Sequence, residues 1–409
     1  MPRSRKLLAN LSKHTVSYSL NSAQASWAEL LTGVNLFSNG CAGYAHPTSS
    51  LNTLAVFTEA DLLAVPKTIE PSSGSTVAVV NVPIILPRSR DRLWLADGSL
   101  PTNRLFSPSE LSAESIFKSY LPRAYESHAG AARLPQMALV NRCIETESQR
   151  LLCVASLFQR KGLSKFVYRL SLFDQLAHLL GIRFLEAADL SSFGNLSNFL
   201  RELDDVVESF SAHGNLQMSF ISNYSHEPCR ATLNLNLVLA AGGFTQLADA
   251  QNLARASTQR MNVATAMWKP TVHNLTSLEG CLDTSRTAAA SPVAGCIYIN
   301  KRTVFDDGIV DDDNYLTVRG KVVSYLQNFL ISQYGSSFEI EVHPSDFNKT
   351  KAPDLIVKID GVEFQNLSAS MAPITPLTTH VAKGFALLPE RLNVAEQISA
   401  TQLASLLND

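Results

Sequence analysis

The chain has 409 residues, of which 45% are hydrophobic and 17% are charged. Lysine and arginine together number 34 and aspartate and glutamate 36, so the formal net charge at pH 7 is only -2. This composition excludes an intrinsically disordered chain, a collagen-like fibre and a disulfide-dense mini-protein.

Residues 1–75 are polar and irregular, apart from residues 25–31, where a short helix is predicted. Residues 76–86 are apolar without alternation, which is typical of a strand buried on both faces. The next segment is rich in proline and is predicted to form loops around a helix at residues 110–120.

The middle third has the clearest periodicity. Apolar residues recur at helical spacing over residues 164–180 and 197–210, and a glycine follows each predicted helix. Alternating apolar residues over 216–220 and 233–239 then predict an antiparallel hairpin with one buried face.

A long helix is predicted at residues 245–268, and the small, polar residues 284–292 indicate a linker. Asp360-Gly361 favours a tight hairpin between two of the strands that follow. The predicted elements after the linker are a strand at 296–299, a helix at 316–334, strands at 338–342, 355–359 and 362–364, and a helix at 393–407.

Helices and hairpins follow one another in mixed order, without the strand–helix alternation of a parallel sheet. The predicted fold class is therefore α+β, with antiparallel β-hairpins and a helix-rich middle region. The predicted organisation is an N-terminal arm at 1–75, a main α+β domain at 76–283 and a C-terminal α+β domain at 293–409.

No segment is suited to spanning a membrane. The longest apolar runs have about ten residues, half of the roughly 20 that a spanning helix needs, and the N-terminus lacks the apolar core of a signal peptide. The six cysteines form no Cys-x-x-Cys pair, which favours reduced thiols. We therefore expect a protein that is neither secreted nor transmembrane.

An acidic cluster at residues 306–313 is the first candidate for a functional site. Asp307, Asp311 and Asp313 could supply oxygens to a hard cation such as calcium, although their spacing differs from that of an EF-hand loop. The alternative interpretation is a solvated turn whose aspartates lie near the N-terminus of the next helix. Asp354 is a second candidate carboxylate for a metal site.

No local motif indicates a cofactor or a catalytic group, and no cofactor is predicted. Gly242-Gly243 are surrounded by neither the Rossmann nor the P-loop pattern. The sequence also has no Gly-x-Ser-x-Gly elbow and no His-Glu-x-x-His zinc motif. His178 lies in the predicted apolar helix at 164–180 and is interpreted as a hydrogen-bonded, partly buried residue. His213 and His226 flank the predicted hairpin and could approach other functional groups only through the tertiary fold.

Two short basic clusters are the candidate contacts to nucleic acid, because phosphate contacts need only charge and reach. Their residues are Arg3, Arg5 and Lys6 in the first cluster, and Arg88, Arg90 and Arg92 in the second.

Sparse charge and an excess of arginine over lysine favour a subunit that buries much of its surface in an assembly. We therefore predict a structural, self-assembling and non-enzymatic protein, a viral capsid (coat) or nucleocapsid-type subunit. Its predicted partners are further copies of itself and RNA, and its predicted location is the virion or the host cytoplasm. The alternatives are an RNA-binding subunit of a ribonucleoprotein filament and a metal-dependent enzyme with a dispersed site.

Overall fold

The computed structural model describes residues 15–20, 26–41, 45–64, 66–70, 75–83, 85, 92–96, 105–120, 136–160, 163–181, 193, 195–211, 218–222, 224–248, 281–345, 352–364, 378–388 and 397–407. These residues form helices and several small mixed or antiparallel sheets. The predicted α+β class is confirmed.

The described residues contain the helices α1 (Ser26–Thr32), α2 (Leu36–Asn39), α3 (Gln136–Phe158), α4 (Leu172–Leu180), α5 (Leu196–Ser211), α6 (Leu235–Ala241), α7 (Tyr315–Tyr334) and α8 (Ala400–Leu406). Shorter 3-10 turns occupy Lys67–Ile69, Ser109–Ala113, Ser115–Phe117, Thr284–Arg286 and Asp312–Asn314. Within these described ranges, no helix is long and apolar enough to cross a membrane.

The strands are β1 (Thr15–Ser19), β2 (Ala45–Pro47), β3 (Leu54–Val56), β4 (Thr76–Val80), β5 (Arg92–Leu95), β6 (Phe106–Ser107), β7 (Leu163–Tyr168), β8 (Phe220–Ser222), β9 (Ser225–Pro228), β10 (Ala231–Leu233), β11 (Ala289–Val293), β12 (Cys296–Ile299), β13 (Phe338–Val342), β14 (Leu355–Ile359), β15 (Val362–Phe364), β16 (Thr378–Val381), β17 (Lys383–Leu387) and β18 (Gln397–Ser399). Their sheets have the strand orders β18-β1-β17-β8, β6-β5-β4-β7, β11-β12-β14-β13, β10-β15, β16-β9 and β2-β3.

The strand that was predicted to be buried on both faces is β4, the centre of a largely parallel sheet. β5 and β7 pair with it in parallel, and β6 pairs antiparallel with β5. Val77 and Val79 lie in one buried cluster with α1, whereas Ala78 and Val80 lie in another with α3. Because helices cover both faces, successive residues of the strand are all apolar.

The last third of the chain forms largely the elements that its periodicity predicts. β12, β13, β14 and α7 are all present, and α7 packs with α6 against the sheet. Val322, Leu326 and Leu330 lie at four-residue spacing on α7 and are completely buried, which is the apolar stripe of an amphipathic helix.

The helix predicted at residues 164–180 is wrong in its first half. Leu163–Tyr168 forms β7, and only Leu172–Leu180 forms a helix, α4. Phe166 and Val167 have the aromatic and β-branched side chains that suit a strand. They pair with β4, a partner that the local hydrophobic period does not reveal.

The antiparallel hairpin predicted from alternation over residues 216–239 is also wrong. Its second half forms α6, because the side chain of Asn234 accepts hydrogen bonds from backbone N–H groups of the first turn. Leu235 and Leu239 are buried, as a strand would also require, but Leu237 is 46% exposed. The first half contributes only β8, which pairs with β17.

Turns and pairings differ from the prediction at further places. Residues 110–120 form two 3-10 turns, and the segment predicted as a linker forms a 3-10 turn and the buried strand β11. β15 pairs in parallel with β10 instead of returning along β14. The C-terminal helix begins only at Ala400, after β18.

Some sequence predictions fall outside the described residues, among them residue 216, residues 249–268 of the predicted long helix and residues 393–396. β1 lies between β17 and β18 in one sheet, so the first described residues contact the last third of the chain. The three-part division at residues 1–75, 76–283 and 293–409 stays a prediction.

A buried ion pair connects two segments of the C-terminal sheet. Nζ of Lys301 lies 2.9 Å from Oδ1 of Asp354, and both side chains are at most 1% exposed. The hydroxyl of Tyr315 donates to Oδ1 and the backbone N–H of Ile299 donates to Oδ2. Burial lowers the pKa of Lys301, and the carboxylate of Asp354 opposes this effect. The carboxylate is thus satisfied by protein donors and is part of the core.

We predict that Leu235→Asp unfolds or aggregates the protein, because a buried carboxylate without a partner costs several kcal/mol. Leu237→Asp, two residues along the same helix, is the matched control and should stay folded, with a Tm near that of the wild type. Circular dichroism melting checks both variants. Equal destabilisation by the two substitutions would contradict the helical assignment.

We also predict that Lys301→Met lowers the free energy of unfolding by about 3–5 kcal/mol, since it leaves the carboxylate of Asp354 buried without its cation. The control is Lys358→Met on β14, whose ion pairs with Glu339 and Glu341 are partly exposed and should contribute about 1 kcal/mol or less. Urea denaturation measures both. A loss at Lys301 no larger than at Lys358 would overturn the structural role of the buried pair.

Candidate metal centre

Helix α4 presents two metal-binding side chains on one face. It begins after Ser171, at the end of β7, and carries Asp174 in its first turn and His178 in its last turn. Residues four apart on a helix lie above one another. Oδ1 of Asp174 is accordingly 3.6 Å from Nε2 of His178.

The two-stranded sheet of β9 and β16 carries two histidines on one face. In this antiparallel pair His226 lies directly opposite His380, and direct cross-strand partners point to the same face. Their ring centroids are 4.8 Å apart. The sheet turns this face toward α4.

Four ligand atoms converge where the helix meets the sheet. Oδ1 of Asp174 lies 3.3 Å from Nε2 of His226 and 3.1 Å from Nε2 of His380. The Nε2 atoms of His178 and His380 are 3.0 Å apart, and all four ligand atoms lie within 4.8 Å of one another. Zinc bonds of about 2.0–2.1 Å in a tetrahedron give ligand-to-ligand distances of roughly 3.3–3.4 Å. The separations of 3.0–3.6 Å given above lie close to this value.

The donor set also indicates which metals suit the site. Three imidazole nitrogens and one carboxylate oxygen are ligands for zinc and related transition metals, whereas calcium prefers six to eight oxygens. The side chains are between 11% and 29% exposed. The cluster is therefore only partly shielded from solvent.

The carboxylate of Asp174 is held in its ionised form. Burial raises its pKa, but the hydrogen bonds with His226 and His380 and the electrostatic influence of His380 and Arg169 lower it by more, so the pKa lies well below its usual range. Arg169 approaches Oδ2 at 3.5 Å, which leaves Oδ1 for the histidine side of the cluster. A divalent cation would favour the ionised carboxylate in the same way.

A buried polar network fixes the start of α4. The Ser171 hydroxyl donates to Glu147, at 2.9 Å, and accepts from Arg150, at 2.8 Å. Asn81, the residue after β4, donates to the same hydroxyl and to the carbonyl of Arg169. Because all of these groups are buried and paired, the helix that carries Asp174 is held against the carboxyl ends of β4 and β7.

The histidine-bearing strand β9 is anchored on its other side. Oε1 of Glu227 accepts a hydrogen bond from the backbone N–H of Gly361, in the turn between β14 and β15. The ring of Tyr224 packs on that of His380, with centroids 4.1 Å apart. These contacts restrict the position of both histidine rings.

The three aspartates predicted as metal ligands lie elsewhere. Asp307 accepts a hydrogen bond from Ser50, Asp311 forms an exposed ion pair with Arg302, and Asp313 is exposed in the 3-10 turn before α7. None of them belongs to the converging group found among the described residues. Asp311 and Asp313 are exposed and Asp307 is half-buried, and a metal site on these three residues stays a prediction. Asp354 is held by the buried ion pair with Lys301.

Of the six predicted contacts to nucleic acid, Arg92 is the one within the described residues. It lies on β5, is 4% exposed and forms an ion pair with Glu59 at 2.8 Å, so its guanidinium lies in the core. The remaining five lie outside the described residues, namely Arg3, Arg5, Lys6, Arg88 and Arg90.

Sequence interpretation missed the converging group. It treated His178 and His226 as separate histidines and did not single out Asp174 or His380, and His213 lies outside the described residues. A signal existed for half of the site, since Asp174 and His178 are four residues apart on a predicted helix. His380 gave no such signal, because its strand has four residues and its partner strand lies about 150 residues earlier.

No protein-family model and no curated protein matches the sequence, but solved structures match its fold. Murine ectonucleotide pyrophosphatase/phosphodiesterase 5 superposes with a TM-score of 0.50 and 11% identity, over 98% of this chain and 88% of that one. Phosphonoacetate hydrolase from Sinorhizobium meliloti 1021, solved in complex with phosphonoformate, superposes with a TM-score of 0.53 and 9% identity, over the same shares. At this identity the likeness is one of fold.

The prediction of a viral capsid or nucleocapsid-type subunit is wrong, because the solved structures that share this fold are those of a pyrophosphatase/phosphodiesterase and a phosphonoacetate hydrolase. The expectation that the chain is not an enzyme is wrong for the same reason. Low charge content describes how a surface is hydrated, and it does not determine which fold or which chemistry lies beneath that surface. The predicted partners, further copies of the chain and RNA, stay predictions.

We predict that zinc raises the Tm of the wild-type protein by a few degrees, since a ligand at about 100 times its Kd stabilises the folded state by about 2.7 kcal/mol. His178→Ala, which removes the most exposed of the four ligands, should abolish most of this rise. Differential scanning fluorimetry with and without zinc measures the change in Tm for both proteins.

The control for this experiment is the pair of variants Asp311→Asn and Asp313→Asn, which should keep the full zinc-dependent rise in Tm. A rise that disappears in these variants and persists in His178→Ala would place the ion in the acidic turn and contradict the site described above.

Proposed function

We propose that the chain is a metal-dependent hydrolase that acts on substrates bearing a phosphoryl group. The observation that carries the proposal is the convergence of Oδ1 of Asp174 with Nε2 of His178, His226 and His380 at distances close to those around a zinc ion. These four side chains would be the protein ligands of the active-site metal ion. The earlier expectation of no cofactor is replaced by one divalent ion.

The fold supports the class of substrate. The murine structural neighbour is titled a pyrophosphatase/phosphodiesterase, and the bacterial one is titled a phosphonoacetate hydrolase in complex with phosphonoformate. Both names refer to compounds with a tetrahedral, anionic phosphorus group. We infer that this chain takes a substrate of the same chemical kind, with phosphodiesters as the first candidates.

Each side chain of the site has a role that follows from its chemistry. Asp174 and the three histidines would hold the ion. A divalent ion bound there would act as a Lewis acid toward a phosphoryl oxygen. Arg169, beside Asp174 and 17% exposed, orients the carboxylate and adds positive charge next to the place where an anionic substrate would lie.

The charge balance also suits an anionic substrate. Neutral imidazoles contribute no charge and the carboxylate contributes one negative charge, so a divalent ion leaves the centre positive. The guanidinium of Arg169 increases this local positive charge, although the whole chain has a net charge of only -2. Attraction of a phosphoryl group therefore depends on the site and not on the overall charge.

We expect the zinc- or manganese-loaded protein to hydrolyse bis(p-nitrophenyl) phosphate, followed by the absorbance of released p-nitrophenolate. Asp174→Asn should lower kcat/KM at least about 100-fold, since it removes the only charged ligand of the ion. Dialysis against a chelator should abolish turnover, and addition of the metal should restore it.

Asp205→Asn, an exposed carboxylate on α5, is the matched control and should leave kcat/KM unchanged. Phosphonoacetate serves as a second substrate, with release of inorganic phosphate as the readout. If the metal-loaded wild type hydrolyses neither compound, or if Asp174→Asn retains full activity, the proposed function is wrong.

A further inference from the structure

We propose that Thr378 is a positioning residue that sets the tautomers of two metal ligands, so that the same two nitrogens always face the ion. The inference rests on the metal site proposed above and deepens it. It concerns a residue that has no ligand atom in the converging group.

Thr378 lies at the point where the two histidine-bearing elements meet. It is completely buried, on β16, two residues before His380 and therefore on the same face of the strand. Its Oγ1 is 3.3 Å from Nδ1 of His178 and 3.3 Å from Nδ1 of His226. One hydroxyl thus bridges a helix residue and a residue of the partner strand.

The chemistry of imidazole determines which atoms donate and which accept in these two hydrogen bonds. A neutral imidazole carries one proton, and a nitrogen that binds a metal offers its lone pair, so the other nitrogen must carry the proton. With Nε2 of His178 and of His226 on the ion, both Nδ1 atoms are donors. The hydroxyl oxygen has two lone pairs, one for each N–H group.

The arrangement couples the two ligands through a single atom. Each N–H···Oγ1 hydrogen bond holds its ring in the plane that points Nε2 toward Asp174, and each makes the alternative tautomer less favourable. Without the hydroxyl, both Nδ1–H groups would lose this acceptor. The rings would then be free to adopt tautomers that do not bind the ion.

The neighbouring residue provides an internal control. Thr379 is also buried, is adjacent in the same strand and has the same side chain, but it points to the opposite face. Its hydroxyl donates to Oε2 of Glu363, at 2.7 Å. A substitution of Thr379 removes a buried hydroxyl but keeps the hydrogen bonds between Thr378 and the two histidines.

The experiment measures the zinc affinity of the full chain by competition with a chromophoric chelator, for the wild type and for Thr378→Val, Thr378→Ser and Thr379→Val. Thr378→Val has nearly the same shape as the wild type but no acceptor. We expect it to weaken zinc binding by about 10- to 100-fold. Thr378→Ser restores the acceptor and should recover most of the affinity, and Thr379→Val should bind as the wild type does.

The Tm of each metal-free variant, measured in chelator, separates a positioning role from a structural one. The inference predicts similar Tm values for Thr378→Val and Thr379→Val, with a loss of affinity confined to the former. Equal affinities in all four proteins would overturn it, and so would an equal loss in Thr378→Val and Thr378→Ser. Absence of zinc binding by the wild type would instead overturn the proposed metal site itself.

Discussion

The register in which β9 pairs with β16 is the constraint on which the candidate site depends. It places His226 directly opposite His380, and a slip of one residue would turn one of these imidazoles to the other face of the sheet. The register is supported from outside the pair, because Glu227 binds the N–H of Gly361. Helix α4 then completes the site, since Asp174 lies 3.3 Å from His226 and 3.1 Å from His380, and His178 lies 3.0 Å from His380.

The carboxylates of Asp354 and Asp174 show how the surroundings of the same chemical group determine its role. Asp354 is surrounded by donors, the ammonium of Lys301 and the Tyr315 hydroxyl among them, so both of its oxygens are satisfied within the protein. Asp174 faces three imidazoles, which offer lone pairs when neutral and protons when charged. The first arrangement stabilises a core, whereas the second provides the ligands of the proposed metal site. Because both residues are aspartates, the difference between their roles follows from the groups that surround each carboxylate.

The composition directed the functional prediction away from catalysis. Sparse charge and abundant arginine are typical of assembly interfaces, and the chain has no local catalytic motif, so these features favour a capsid subunit. The fold contradicts this interpretation. The residues of the candidate site come from positions 174, 178, 226 and 380, and a search for ligands close together in the sequence could find only the first two. Buried glutamate, arginine and asparagine side chains around Ser171 also increase the polar content of the core without adding surface charge.

Local periodicity determined much of the secondary structure, because an amphipathic or doubly buried pattern has few alternatives. The sequence alone therefore predicted β4, α5, α7 and β12–β14, and with them the α+β class. It failed where one pattern fits two structures, as at residues 164–168 and 235–241, since the choice there depended on a strand partner or on the cap of Asn234. It could not assemble the site, because pairing between segments about 150 residues apart is decided by tertiary packing. Only the tertiary structure brings Asp174 and the three histidines within reach of one ion.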